Sequence, residues 1–141
     1  ETTNSESEKP LVRRNQEKGK QYQAEQTRKL EEDPDVTIVG TEVTLKKVDP
    51  NTSEIATGKD ANTIRVDVLA QVDENGEPQY RIYEMKASAD AQFTHNQKDA
   101  GYVQGMLNAE YEVVGGKVDG LTKTRIPAGT IVQRVDPKHP I

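Results

Sequence analysis

A β-hairpin constrains this chain more than any other feature of its sequence. Two alternating runs rich in β-branched and aromatic residues, TIRVDVLAQV (63–72) and QYRIYEMKA (79–87), flank the linker DENGEP. Asn75-Gly76 within that linker is a strong signal for a tight turn. Successive side chains of a strand point to opposite faces. Tyr80, Ile82, Glu84 and Lys86 therefore share one face of the second run. Asp67 lies eight residues before Asn75, and Glu84 lies eight after Gly76. The hairpin sets these two carboxylates opposite or nearly opposite each other on one face, provided the register holds, because a slip of one residue would separate them.

Two facing carboxylates repel unless a cation sits between them. Asp67 and Glu84 are thus the expected ligands of a hard, Mg²⁺-like ion, with the Met85 carbonyl as a third oxygen. Lys86, on the same face, would orient or deprotonate an attacking water and offset phosphate charge. Such a set favours in-line attack on a phosphodiester. The plainer alternative is a surface ion pair, which is what E-x-K on a strand commonly is. An Asp before the hairpin together with E-x-K after it is a rarer combination and favours the metal site. The chain has no cysteine, so no disulfide or thiolate is available, and a metal must use oxygen ligands or His95 or His139.

The remaining pattern reads as one domain of 141 residues. Residues 1–10 read as a flexible tail. Residues 11–32 suit a helix ended by Asp33-Pro34, with Leu11, Asn15, Tyr22, Gln26 and Leu30 on one side. Residues 36–48 read as a strand and 49–62 as a long loop. A second helix opens at Thr94 and runs to about Ala109, with Thr94 and Gln97 at the spacing of a capping box. Residues 110–118 read as a short strand ending in a Gly-Gly turn, and 129–135 as the last strand. The order α-β-β-β-α-β-β places the chain in the α/β (α+β) class, with a mixed central sheet flanked by helices.

Only 32% of the residues are hydrophobic and 30% are charged, which is lean for a globular domain. A flexible end, or a surface completed by a partner, is expected. The net charge of −5 argues mildly against a generally basic nucleic-acid footprint. The cations are uneven, however. Lys9, Arg13, Arg14, Lys18, Lys20, Arg28 and Lys29 face only Glu17 and Glu25 over that stretch, which reads either as a solvated helix face or as a phosphate-tracking one. No apolar run reaches the ~20 residues of a membrane helix, so stable membrane insertion is not expected. The sequence shows no signal peptide and opens without Met, and it reads as a piece of something longer.

RVDVLA, a hairpin, YEMKAS and then THNQ together resemble the PD-(D/E)XK, or restriction-endonuclease-like, nuclease superfamily, and in particular its toxin branch. Those domains form the C-terminal ends of bacterial polymorphic toxins, including contact-dependent growth-inhibition toxins. The resemblance covers roughly residues 19 to 135. It implies that Asp67 and Glu84 are metal ligands and that Lys86 is the catalytic lysine. It makes Gln97 a supporting polar residue on the second helix, for which the capping box is an equally good explanation. It implies an acid on the first helix, within GKQYQAEQTRKL. Glu25 is the choice there, at the edge of the apolar stripe, ahead of Glu17 and Glu31. Lys18, Lys20, Ser88, Thr94, His95 and Lys98 are the expected nucleic-acid contacts, His95 also as an exposed general acid. Lys123 to Arg125 add further cations to a groove. His139 is expected at the surface.

The resemblance implies a metal-dependent endonuclease toxin using Mg²⁺, with Mn²⁺ or Zn²⁺ as alternatives. It would hydrolyse tRNA in preference to DNA in the cytoplasm of a target bacterium, after release from a secreted or cell-surface protein. It also implies a cognate immunity protein, with the toxin otherwise monomeric. The competing readings are a DNase of the same fold, a non-catalytic binding module on it, and a housekeeping repair or restriction nuclease.

Overall fold

A computed structural model describes residues 11–118 and 120–141, so the expected tail at 1–10 lies outside the described residues. Helix α1 spans Leu11–Glu31. Strands β1 (Val36–Lys47), β2 (Thr63–Glu74) and β3 (Glu77–Met85) follow. A short helix α2 (His95–Asp99) precedes β4 (Tyr111–Val118), β5 (Arg125–Ile126) and β6 (Ile131–Val135). The sheet is six-stranded and mixed, in the order β5-β4-β1-β2-β3-β6. All its neighbours are antiparallel except β3 and β6, which pair in parallel. This is an α+β architecture.

The hairpin register is the one counted from the turn. Asn75 (φ 54°) and Gly76 (φ 85°) both adopt positive φ, as a two-residue type I′ turn requires. Pairing runs from Glu74↔Glu77 to Val68↔Tyr83. The paired register ends at Val68↔Tyr83, and Asp67 and Glu84 are the residues just beyond it on the two strands.

Two apolar clusters hold the sheet. One joins Val43, Leu45, Ile64, Leu69 and Ile82 to Tyr102, Leu107, Tyr111 and Ile126. The other joins Leu30 of α1 to Val68, Ala70, Tyr83, Met85 and Val135, with Tyr22 and Ile141 packed against it. Helix α1 docks through its C-terminal half only. Gln26 and Leu30 are buried, whereas Leu11 is 64% exposed and Asn15 is exposed, so the long stripe expected from the sequence is real over its last turns alone. The Ile141 N–H donates to Gln26 Oε1 at 2.8 Å and ties the end of the chain to this helix.

Three expectations are corrected. The second helix stops at Asp99 rather than near Ala109. Gly101 turns to φ +104°, where a Cβ would lie 2.3 Å from the Met106 carbonyl oxygen, so no other residue continues the chain there. A 3₁₀ turn at Tyr102–Gln104 follows, and Asn108 closes the end by donating to the Ala100 and Asp99 carbonyls. The Gly-Gly pair is not a turn, because Gly115 and Gly116 both lie inside β4. Gly116 (φ +112°) accommodates an irregularity in the β1–β4 ladder between Thr41 and Thr44. Finally, the short strand β5 adds an element beyond the expected order, giving α-β-β-β-α-β-β-β.

Candidate active site

Asp67, Glu84, Lys86 and Gln97 come together at the end of the β2–β3 ladder. Glu84 is 4% exposed. Its Oε2 accepts from Gln97 Nε2 at 3.0 Å and faces Lys86 Nζ at 3.3 Å. Its Oε1 is buried with no hydrogen-bond partner. Asp67 is half-buried, and its Oδ2 accepts from the Met85 N–H at 2.7 Å. Met85 therefore reaches Asp67 through its N–H, not through the carbonyl expected as a ligand.

Burial disfavours charge on both acids. It raises Glu84 to about 7, with the nearby Asp67 charge adding to the effect and Lys86 and Gln97 opposing it. Burial also raises Asp67, against the Met85 N–H and the Lys86 and Arg65 charges. The pair is thus poised to share a proton or to lose it to a cation. Among the described residues no group of three or more His, Cys, Asp or Glu side chains forms a cage. Two carboxylates are what a hard ion uses when water and substrate phosphate complete its shell. The orphaned Glu84 Oε1 is an oxygen suited to it.

Gln97 caps the helix with one end of its amide and bonds Glu84 with the other. Its Oε1 accepts from the Thr94 N–H at 3.0 Å and Thr94 Oγ1 accepts from the Gln97 N–H, which completes the capping box. Its Nε2 holds Glu84 and reaches the Arg65 carbonyl at 3.4 Å. Gln97→Ala should therefore cost more than a cap. We expect a loss of about 2–3 kcal/mol by urea denaturation, against about 1 kcal/mol for Thr94→Ala, which removes only the cap. Equal losses would mean that the Glu84 bond adds nothing.

The other expected residues lie apart from this cluster. Glu25 is exposed on α1, and its charge is felt at Tyr22 rather than at Asp67 or Glu84. Glu17 is half-buried and Glu31 exposed on the same helix. Lys18 is exposed, and Lys20 lines a groove between α1 and β1. Thr94 is occupied as the N-cap, and His95 is exposed and paired with Asp99 at 3.2 Å. Lys98 is exposed. Ser88 is exposed, its Oγ accepting from the Asp90 N–H at 3.3 Å and its carbonyl from Arg134. Arg125 binds Glu110, Glu112 and the Ser53 carbonyl at the β4–β5 edge. His139 packs its ring against Asp136 at the surface.

Two residues near the acids were not singled out from the sequence. Tyr102 is buried, stacks edge-on against Phe93 at 5.4 Å, and has a hydroxyl with no partner. Burial, then the Glu84 and Asp67 charges, push this phenol up, so it stays protonated. Apolar helical periodicity accounts for a tyrosine at this position equally well, which hid it. Glu42 is the second. Thr41↔Val68 and Val43↔Val66 frame it directly across β1 from Asp67. Glu42, Asp67 and Glu84 thus form a row across three adjacent strands. The Gly-Gly pair inside a strand-like run was the available signal, since such glycines mark a bulge or a close approach.

Among the described residues no helix is long and apolar enough to cross a membrane. No family model, curated protein or solved structure matches the chain.

Proposed function

We propose that this chain is a metal-dependent endonuclease whose site is Asp67, Glu84 and Lys86, with Gln97 in support. The observation that carries the reading is the partition of the Glu84 carboxylate. One oxygen is held by Gln97 and Lys86, and the other is buried with no partner. A buried acceptor left empty is costly in a finished core and useful where a cation binds. A divalent ion held by Asp67 and Glu84 would supply charge neutralisation at the phosphoryl oxygens and would lower the pKa of water.

The chain's own groups do the rest. Gln97 fixes the Glu84 rotamer, and the Met85 N–H fixes that of Asp67. Lys86 is 18% exposed and lies 6.0 Å from the Phe93 ring centroid, so its ammonium is partly screened from water. It stands ready to orient the nucleophile and to meet charge developing on the phosphate. The PD-(D/E)XK resemblance gives the same three residues these roles. On that resemblance rest the further readings: tRNA ahead of DNA, action in a target bacterium's cytoplasm, and a cognate immunity protein.

The test is incubation of the chain with plasmid DNA and with total cellular RNA in separate tubes, each with Mg²⁺, Mn²⁺, Zn²⁺ or EDTA. Metal-dependent loss of one substrate is expected, with RNA favoured. Asp67→Ala and Lys86→Ala should each reduce it by about 10²–10³-fold. Intact substrates in every tube with the parent protein folded would overturn the proposal, as would full activity in either variant.

A further inference from the structure

The groove between α1 and β1 has a volume of about 510 Å³ and is lined by Lys20, Thr27, Glu31, Thr41, Glu42 and Lys117, among others. At its edge two cations from different strands converge on one carboxylate. Arg65 Nη2 of β2 meets Glu42 Oε1 at 2.7 Å, and Lys117 Nζ of β4 meets Glu42 Oε2 at 2.7 Å. Arg65 is 66% and Lys117 76% exposed, so these pairs are screened by solvent and contribute little to stability. Glu42 nonetheless sits at φ +49° within a strand, a conformation that non-glycine residues rarely adopt and that the β1–β4 irregularity maintains. Backbone strain is thus retained for a pair of ion pairs of little energetic value.

We propose that Arg65 and Lys117 form a phosphodiester-binding site beside Asp67, and that the Glu42 carboxylate occupies it as an anionic stand-in until a nucleic-acid strand displaces it. The inference rests on the nuclease reading above. A phosphodiester presents the same two anionic oxygens that Glu42 presents to the two cations. Glu42 lies one strand from Asp67, so a backbone held at Arg65 and Lys117 continues toward the Asp67–Glu84 pair, with Lys20 farther along the groove. A chain of net charge −5 must gather its cations locally to bind a polyanion. An internal carboxylate at that point excludes small anions, which offer one contact. It yields to a polymer that makes several contacts at once.

The experiment is fluorescence anisotropy with a labelled tRNA pool and with a labelled mixed-sequence duplex DNA, in EDTA, over a series of salt concentrations. Glu42→Gln should bind at least one polymer about tenfold more tightly at low salt. Its dependence of log K on log salt should steepen by about 0.7–0.9 for each phosphate gained. The Arg65→Ala/Lys117→Ala double variant should bind more weakly, and adding Glu42→Gln to it should change nothing. Arg65 and Lys117 are exposed, Glu42 is half-buried, and Glu42→Gln keeps its shape, so thermal melts followed by circular dichroism should show all variants folded. If the parent binds but Glu42→Gln leaves its affinity unchanged, or tightens it equally in the double variant, the stand-in role is overturned while the nuclease reading survives. If neither parent nor variants bind either polymer, the nucleic-acid reading fails and this inference with it. Tightening confined to one polymer identifies the source of the phosphodiester.

Discussion

Glu84→Gln is expected to stabilise the metal-free protein at pH 8 while lowering the proposed metal-dependent hydrolysis about a thousandfold. The stability gain follows from the raised pKa. Glu84 titrates near 7 in the fold, against an ordinary value of 4.5. The fold therefore prefers the protonated side chain. Its contribution is complete below about pH 4.5 and is lost as pH rises through about 7. A shift of this size corresponds to roughly 3 kcal/mol at alkaline pH. Glutamine is neutral throughout, keeps an oxygen for the Gln97 amide, and avoids that loss. Urea midpoints of both proteins in EDTA should coincide near pH 4.5 and diverge between pH 5 and 8, the variant becoming the more stable. Parallel curves, or a less stable variant at pH 8, would show that Glu84 is not held against its charge.

The activity loss has the same origin. A carboxylate that is costly to ionise in the metal-free protein recovers that cost on binding a divalent cation, so metal binding should expel a proton and tighten as pH rises. Mg²⁺ should raise the melting temperature of the parent at pH 8 and leave that of the variant nearly unchanged. Loss of one of the two proposed charged ligands should remove several kcal/mol of transition-state stabilisation, hence the expected thousandfold.

This pair of acids was legible in the sequence because the hairpin is local. Once Asn75-Gly76 forms a two-residue turn, counting outward assigns every cross-strand partner, and Asp67 must meet Glu84. Gln97 was legible through its spacing from Thr94. What escaped depends on contacts between distant segments. Nothing near Gly101 in sequence reveals that the Met106 carbonyl lies where its Cβ would go, so the second helix was read too long. Gly115-Gly116 looks the same whether it turns the chain or admits a neighbouring strand. That ambiguity concealed both the continuation of β4 and the placement of Glu42. The acid expected from α1 was sought on a stripe that engages the core only near its C-terminal end, and Glu25 faces solvent there.

Gly116→Ala should be among the most destabilising single changes, at about 3–5 kcal/mol. Two costs combine. The backbone holds φ at +112°, outside the left-handed well that other residues tolerate, which costs on the order of 1–3 kcal/mol. A Cβ there would lie 2.4 Å from the Glu42 carbonyl oxygen and 2.7 Å from Val43 Cα. Both are backbone atoms, so no side chain can swing aside, and relieving the collision means parting β1 from β4. Overpacking of this kind costs a further ~1–3 kcal/mol. Against a total stability of about 5–15 kcal/mol for such a domain, the loss is severe. Gly115 supplies the control. It is the adjacent residue of the same strand, its φ is not positive, and a Cβ there meets nothing within 4 Å, so Gly115→Ala should shift the urea midpoint little. A wide gap between the two variants means that Gly116 maintains the irregularity at Glu42. Because that irregularity sets Glu42 between Arg65 and Lys117, partial relaxation in Gly116→Ala should also disturb their pairing. Indistinguishable midpoints would mean instead that β1 shifts freely and that the position of Glu42 is not imposed by the sheet.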